Sequence, residues 1–492
     1  MNNDWRCHMS EHPTNQLSSG GILELTEKNL ASRLAAEGIN KERWMLADLR
    51  NLCNTSCTRI ISLFGLRRTG KSVMMWTMAL ELIQQGRRVE FWEVLINTSA
   101  HDVIEKLKTL SRDEYDFLFI DEATYAGGFP DWGLYLYNTH AVYGKHVILS
   151  GTHSYAIQVA AEDALYNRII RLSTTYISYK EYNYLKGTSL DAFLTNGGIL
   201  DPIQHDWREY LETAVVENLV SGFKRLTLST YKPMANLPEP YIRTLLYYTL
   251  QDVYVNPILS VSSLKYEFED LKDSLGNLLG RGKSFTPGEI TNTERDITES
   301  LGLVALEGNE AKTQLLKFRE VLQHIGLLDR IKVMSLLDDM PHSHYEYFIT
   351  QAGLMYFLTL TSEESVFRNV REYAELYKNL ETVVRGRILE NTVAQYLMTR
   401  YPESSITKLS GLGLEVDIVV SHPSGELHLY EVKHSDKPRS GFARYLKDTR
   451  LPLLLKEIYG RNTADSKTVL YRGPNKQDPD VDFRNVEKFL VM

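Results

Sequence analysis

The chain has 492 residues, a formal net charge of −8 and 43% hydrophobic residues. This length allows about three domains with separate cores, and the composition is that of an ordinary soluble globular protein. The negative net charge argues against a protein that binds nucleic acid over its whole surface, although it is compatible with a local basic patch.

The N-terminal region gives few signals. Residues 1–50 are predicted to form an N-terminal extension with a helix near residues 26–37. They lack the basic region followed by an apolar core that is typical of a signal peptide. No run in the chain approaches the ~18 apolar residues that a membrane-spanning helix needs. Three cysteines, Cys7, Cys53 and Cys57, are too few for a disulfide framework. We therefore expect a cytoplasmic protein without a membrane partner.

A phosphate-binding loop is the most informative motif of the chain. The pattern G-x-x-x-x-G-K-[ST] is matched at every fixed position by Gly65-Leu66-Arg67-Arg68-Thr69-Gly70-Lys71-Ser72. A buried strand is predicted before it, over 59–64, and a helix after it, over 73–83. In such a loop the N–H groups point at one phosphate, Lys71 adds a positive charge and Ser72 offers a hydroxyl to Mg2+. We expect these eight residues and Val73 to bind a nucleoside triphosphate.

Acidic residues follow a later strand. Strands are predicted over 87–94, 117–120 and 146–150, and their alternation with helices predicts a parallel sheet covered on both faces. Asp121 would hold Mg2+, and Glu122 would orient and polarise the attacking water. The alternative is an acid pair that caps a helix.

The middle of the chain is predicted to be mainly helical from 181 to 375. Helices are expected over 209–226, over 241–255 and within 313–331, where the apolar pattern runs from Leu315 to Ile325 and is followed by Gly326. Strands over 333–337 and 345–349 would follow the last helix. A helix followed by a two-stranded wing is typical of a winged helix. The exposed face of this helix is weakly basic, so both DNA contact and an internal structural or protein-contact role remain open.

The C-terminal region holds a second set of chemical groups. Strands are predicted over 415–420 and 427–433. Glu431 and Lys433 are two residues apart and share a face, and Asp417 lies opposite Glu431 if the hairpin is centred on Ser424. Glu390 lies on the apolar face of a predicted helix, where a carboxylate calls for a metal or a charge partner. The alternative is an edge hairpin with a solvated Glu–Lys pair.

Most of the chain from about residue 55 onward resembles a known family. The segments that carry the resemblance are GLRRTGKS, FLFIDEA, VILSGTHS, Tyr166-Asn167-Arg168 and ISYKEY, followed by FLTNGGILDP (193–202), a winged-helix-like middle and GRILENTVAQYL (386–397). They resemble the AAA-type ATPases of bacteria and archaea, and more closely a branch related to the signal-transduction (STAND-like) ATPases. The resemblance implies ATP and Mg2+ as ligands, Thr152 as a sensor of the γ-phosphate, and Arg168 completing the site in cis or from a neighbouring subunit of a homo-oligomer.

Three positions depart from the usual pattern of this family. Leu66 stands where Pro is frequent, Ser72 where Thr is commoner, and Asn167 where Gly usually precedes the arginine. The first two leave the chemistry intact. Because of the third, Arg171 is an alternative to Arg168 as the arginine that completes the site. Another alternative is that Arg168 is a surface arginine in an ion pair.

The C-terminal residues resemble a second family. Glu390, Asp417, Glu431 and Lys433 resemble the PD-(D/E)xK pattern of restriction-endonuclease-like proteins. The resemblance implies that the acids, Asp417 and Glu431 among them, hold Mg2+ or Mn2+, while the lysine activates water or stabilises charge at the phosphate. Basic residues over 433–461 could contact a DNA backbone. This fold is often reused without catalysis.

These observations predict a multidomain α/β protein. The expected parts are an N-terminal extension (1–50), a parallel-sheet P-loop ATPase core (51–180), a helical lid (181–245), a winged-helix-like domain (246–375) and a mixed α/β nuclease-like domain (376–492). The expected function is an ATP-hydrolysing AAA-type ATPase coupled to a nuclease-like module that acts on or near DNA. The alternative is an ATP-controlled switch or interaction protein whose nuclease-like fold does not cleave.

Overall fold

The computed structural model describes residues 21–38, 40–200, 207–224, 239–250, 253, 308–337, 340–360 and 373–492. Cys7, the first 20 residues of the predicted extension, and the ends of two predicted helices at 225–226 and 254–255 lie outside this description. Within the described residues, no helix combines the length and the hydrophobicity needed to cross a bilayer.

The first sheet has six strands. They are β1 Ile22–Glu24, β2 Ile60–Phe64, β3 Val89–Val94, β4 Phe117–Asp121, β5 His146–Gly151 and β6 Ile169–Ser173. Their spatial order is β1-β3-β4-β5-β2-β6, and every neighbouring pair is parallel except β1 with β3. Strands β2 and β4 are buried along their whole length, as their continuous apolar runs predict. The four predicted strands are confirmed as β2 to β5.

Helices cover both faces of this sheet. They are α1 Glu27–Ala36, α2 Met45–Asn54, α3 Lys71–Gln84, α4 Ala100–Thr109, α5 Phe129–Thr139 and α6 Ser154–Glu162. The helix predicted near 26–37 is confirmed as α1. Leu30 of α1 and Leu46 of α2 share a buried cluster with Met74 of α3, the helix that follows the phosphate loop. The described part of the predicted N-terminal extension therefore packs against the domain formed by the first sheet.

The middle of the chain is helical and ends in a hairpin. Its elements are α7 Tyr179–Lys186, α8 Leu190–Asn196, α9 Trp207–Tyr210, α10 Glu217–Lys224, α11 Glu239–Leu250, α12 Gly308–His324, β7 Leu328–Leu337, β8 Met340–Ile349 and α13 Ala352–Leu360. A π-helical segment, Leu211–Val216, lies between α9 and α10. Helix α12 ends before Gly326, which has φ +78°, and strand β7 begins at Leu328, five residues earlier than the predicted strand over 333–337.

A second sheet contains the C-terminal residues. The remaining elements are α14 Tyr373–Arg400, β9 Ser405–Gly411, β10 Leu414–Ser421, β11 Leu427–Lys433, α15 Leu451–Tyr459, β12 Ser466–Tyr471, β13 Asp482–Asn485 and α16 Val486–Val491. The mixed sheet has the order β13-β12-β11-β10-β9-β7-β8. Strand β7 pairs in parallel with β9, so the predicted wing forms one edge of this sheet. The hairpin thus has an internal structural role, and DNA contact stays a prediction.

Candidate functional site

The phosphate loop is held tightly between β2 and α3. Gly65 has φ +145°, and a Cβ atom there would lie 2.5 Å from Thr174 Oγ1. Gly70 has φ +87° and directly precedes Lys71, the first residue of α3. Glycine is required at 65 for close approach and favoured at 70 by the left-handed backbone. The N-terminus of a 14-residue helix consequently ends at the loop, which suits an anion.

Lys71 is buried within this loop. Its Nζ donates hydrogen bonds to the carbonyl oxygens of Gly65 at 2.9 Å and Leu66 at 2.8 Å. Burial lowers the pKa of Lys71 to about 8, and the charges of Glu122 and Asp121 oppose that shift. An incoming phosphate would replace the two carbonyl groups as partner of a cation that already lies in place.

Asp121 ends β4 opposite the loop and is 2% exposed. Its Oδ1 accepts hydrogen bonds from the Glu122 N–H at 3.0 Å and from the Ser150 hydroxyl, and its carboxyl group also bonds Ser72. Burial, followed by the charge of Glu122, raises the pKa of Asp121 to about 6. Carboxylate and hydroxyl oxygens are the protein ligands that Mg2+ prefers, so the donor set of Ser72 and Asp121 fits this ion.

Glu122 and Thr152 form one hydrogen-bonded unit. The Glu122 carboxylate accepts from Thr152 Oγ1 at 2.7 Å and from the Thr152 N–H at 3.0 Å. Glu122 also has φ +53°, a conformation that is uncommon for this residue type and that frequently occurs at functional sites. Both residues line a cavity of about 790 Å³ together with Lys71 and Ser72. The structure thus brings the predicted nucleotide groups to one place.

Arg168 lies elsewhere. Its carbonyl oxygen accepts from the Ile60 N–H at the first residue of β2, whereas the phosphate loop follows the last residue, Phe64. About 13 Å of strand separates the two ends. The Arg168 side chain donates to the Ala164 carbonyl oxygen at 2.8 Å and stacks over Tyr137. This geometry does not support a role in cis, and a role in a neighbouring subunit stays a prediction.

Arg43 is a residue that sequence reasoning missed. It precedes α2, and its Nε donates to Glu181 Oε1 of α7 at 2.7 Å. Its Nη1 donates to the carbonyl oxygen of Thr69 in the phosphate loop at 2.5 Å, and the Trp44 N–H also donates to Glu181 at 2.8 Å. Arg43 therefore ties the loop to the first helix of the middle region. No local pattern marks this residue, because its partner is 138 positions away.

The predicted C-terminal hairpin has the predicted register. Ile418 pairs with Tyr430 across β10 and β11, which places Asp417 opposite Glu431. Lys433 Nζ lies 2.9 Å from Asp417 Oδ2 and 2.6 Å from Glu431 Oε2. On its other edge, β10 has a register shift between Val416 and Val419 against β9. Such irregularities frequently redirect a side chain, and here Asp417 lies within the shifted stretch.

Of the acids in this hairpin, Glu431 is buried and Asp417 is partly buried. The side chain of Glu431 is 1% exposed, and its Oε1 is a buried atom without a hydrogen-bond partner. Burial, followed by the charge of Asp417, raises the pKa of Glu431 to about 9. Burial lowers the pKa of Lys433, but the attraction of Asp417 and Glu431 outweighs it and raises that pKa. The described residues contain no group of three His, Cys, Asp or Glu side chains placed to hold a metal ion.

Glu390 has the charge partners that its buried position requires. Its carboxylate lies 2.5 Å from Lys408 Nζ and 3.4 Å from Arg387 Nη1. Burial raises the pKa of Glu390, but Lys408 and Arg387 outweigh it and lower that pKa. Of the two explanations that the sequence left open, the structure therefore provides the charge partner.

The basic segment over 433–461 is partly neutralised. Three of its cations form ion pairs with nearby acids: Lys447 with Asp478 at 2.5 Å, Arg450 with Asp448 at 2.8 Å and Arg461 with Asp465 at 3.0 Å. These local pairs weaken the positive field that the sequence suggested.

Comparison with known proteins identifies the first domain. Residues 58–183 match the family model described as an AAA domain. No curated protein matches the chain.

Similar solved structures include AMPPCP-bound DnaA from Aquifex aeolicus, which is 17% identical with a TM-score of 0.25 and coverage of 61% of this chain and 91% of that chain. The S. cerevisiae Hsp104:casein complex is 12% identical with a TM-score of 0.25 and coverage of 62% and 53%, respectively. Drosophila ORC bound to DNA is 12% identical with a TM-score of 0.22, and the match covers 67% of this chain and 90% of that chain. The family match and the parallel sheet lead to one conclusion: residues 58–183 form an AAA-type P-loop ATPase domain.

Proposed function

We propose that this chain binds and hydrolyses MgATP between residues 65–72 and the tip of β4, and that its nucleotide state controls a C-terminal module acting on or near DNA. One observation carries the ATPase part: Lys71, Ser72 and Glu122 line a single cavity, with Asp121 hydrogen-bonded to Ser72. Groups for phosphate, metal and water are thus within reach of one bound nucleotide.

Each residue has a distinct role in this proposal. The N–H groups of the loop and the Lys71 ammonium bind the phosphates, while Ser72 and Asp121 would hold magnesium. The metal, when bound, neutralises charge on the terminal phosphates. Glu122 orients and polarises the attacking water, and its hydrogen bonds to Thr152 fix the carboxylate before the nucleotide arrives.

Two substitutions test the ATPase. Lys71→Ala removes the cation and should abolish binding of a fluorescent ATP analogue, whereas Lys28→Ala, at an exposed lysine of α1, should leave it unchanged. Glu122→Gln should retain binding but slow single-turnover hydrolysis by about 10²- to 10⁴-fold, because the amide is a poor proton acceptor. Hydrolysis at the native rate by the Glu122 variant would refute the role of that residue.

For the C-terminal module, we propose metal-dependent phosphodiester cleavage. Asp417 and Glu431 are adjacent carboxylates, and the unpartnered Glu431 Oε1 leaves an acceptor available for a cation. The donor set fits Mg2+ or Mn2+ with water or phosphate oxygens as the remaining ligands. Lys433 would stabilise the charge that develops on the phosphate.

A second candidate is a nucleotide-controlled switch that does not cleave. The contacts of Lys433 favour it, because this ammonium already bridges the Asp417 and Glu431 side chains without a metal. In that case the C-terminal module would bind a partner, and ATP would decide when it does so.

One assay separates the two candidates. Native protein, Glu431→Ala and Lys433→Ala are incubated with DNA and Mg2+ or Mn2+, with and without ATP. Glu426→Ala, at an exposed acid in the turn of the same hairpin, is the matched control. Cleavage that is lost only in the Glu431 and Lys433 variants supports the nuclease. ATP-dependent DNA binding or oligomer formation without cleavage supports the switch.

A further inference from the structure

The two adjacent arginines of the phosphate loop point in different directions. Arg68 has φ +61°, and its guanidinium lies 3.8 Å from Glu209 of α9. Both arginines line the nucleotide cavity, but the partner of Arg67 is the phenol of Tyr125. Tyr125 closely follows the acidic tip of β4, so Arg67 is the arginine that interacts beside this tip, although neither arginine is fixed by the loop motif.

Tyr125 connects Arg67 to the groups around the reacting phosphate. It ends the short 3₁₀ turn Ala123–Tyr125, which begins directly after Glu122. Its phenol shares a further hydrogen bond with Thr152, and Thr152 donates to the Glu122 carboxylate. Arg67 thus belongs to one polar network with the residues that face the terminal phosphate. It is also close enough to Lys71 for its charge to oppose the protonation of that amine.

We propose that Arg67 contacts the γ-phosphoryl group in cis and stabilises the charge that develops there during hydrolysis. This inference rests on the proposed ATPase function. In the reaction the bond from the water oxygen to the γ-phosphorus forms as the bond to the bridging oxygen breaks. ADP leaves with the electron pair, and Glu122 passes the proton of the water to the product phosphate. Arg67 forms no covalent bond, and its guanidinium stays charged throughout.

The position of Arg168 strengthens this assignment. Arg168 lies at the opposite end of β2 from the loop, so it cannot supply a cation to the nucleotide of its own chain. Arg67 fills that role without a neighbouring subunit, because it lines the cavity of its own chain and interacts with Tyr125. A single chain then contains every charged group that hydrolysis needs. The specific ATPase activity should consequently be independent of protein concentration.

The test compares Arg67→Ala and Arg67→Lys with the control Arg59→Ala. Arg59 is an exposed arginine that directly precedes β2, at the end of this strand away from the phosphate loop. Single-turnover hydrolysis of saturating ATP should slow by about 10³-fold in Arg67→Ala. Affinity for a fluorescent ADP should stay unchanged, which also shows that the loop is folded. Added guanidinium should restore part of the rate to Arg67→Ala, and Arg59→Ala should match the native chain.

The outcomes distinguish this inference from the proposed function. Hydrolysis by Arg67→Ala at the native rate would overturn the inference alone, as would activity that rises with protein concentration and is lost in Arg168→Ala. A native chain that binds no ATP would overturn both. Loss of hydrolysis with intact ADP binding, at a rate independent of protein concentration, supports the cis role.

Discussion

The ion pair of Arg43 and Glu181 offers a quantitative test of how the nucleotide site is held together. The change is Arg43→Met, which keeps the aliphatic part of the side chain and removes the guanidinium. It breaks the contacts to Glu181 and to the carbonyl oxygen of Thr69. Glu181 then remains as a buried carboxylate that still accepts a hydrogen bond from the Trp44 N–H.

The expected cost follows from burial. The side chains of Arg43 and Glu181 are 4% and 8% exposed, and removing one member of a buried pair typically costs about 3–5 kcal/mol. For a domain of ordinary size this corresponds to a fall in melting temperature on the order of 10 °C. Replacing Glu181 by Met in the same chain should recover much of the loss, because an apolar pair leaves no buried charge.

A double-mutant cycle measures this coupling. Thermal unfolding and the affinity for a fluorescent nucleotide are recorded for Arg43→Met, Glu181→Met and the double variant. Arg50→Met in α2 is the control, because its side chain is 32% exposed and its ion pairs with Glu42 and Glu81 should each contribute at most about 1 kcal/mol. The reasoning is refuted if Arg43→Met costs no more than the control, or if the single changes add without coupling.

Three further predictions concern the rest of the chain. Burial and a neighbouring acid raise the pKa of Glu431 from 4.5 to about 9, so its contribution to stability is complete below pH 4.5 and is lost as pH rises through 9. Glu431→Gln should therefore flatten the decline of melting temperature over that range. Gly326→Ala should destabilise the protein by more than ~1 kcal/mol in thermal unfolding, because Gly326 has φ +78° and a Cβ would lie 2.8 Å from Thr175. Asp191→Asn should make the contact between α8 and Arg472 more accessible to proteolysis, since Asp191 accepts bonds of 2.8 and 2.6 Å from that arginine.

Local patterns predicted the parts of the fold that local forces determine. The buried run of β2, the glycine spacing of the loop and the helical pattern of α3 follow one another within 26 residues, and the structure has all three. The alternation in β10 and β11 gave the correct register because the pleat fixes which residues share a face. The start of β7 was placed five residues too late because Leu328 and Ile331 fit the apolar pattern of a helix as well as that of a strand.

Contacts between distant segments explain what the sequence could not predict. Strand β1 has three residues and joins the sheet only through β3, about seventy positions later, so its pattern is too short to recognise. The Glu181 partner of Arg43 and the Lys408 partner of Glu390 lie on other elements, and no spacing rule connects these pairs. The predicted wing also looked independent in sequence, because its pairing with β9 crosses more than 70 residues.

These distant contacts provide a physical route between the two candidate sites. Arg43 joins the phosphate loop to Glu181 of α7, and on the same helix the Tyr179 hydroxyl donates to Glu487 of α16 at 2.6 Å. A second connection runs through Thr175, whose Oγ1 accepts from the Leu66 N–H and donates to the carbonyl oxygen of Ile325 at the end of α12. A phosphate that changes the shape of the loop would therefore act on the helix against the C-terminal sheet and on the turn that leads into β7. Both the nuclease and the switch require such a connection, so its loss should uncouple ATP from the C-terminal module while leaving hydrolysis intact.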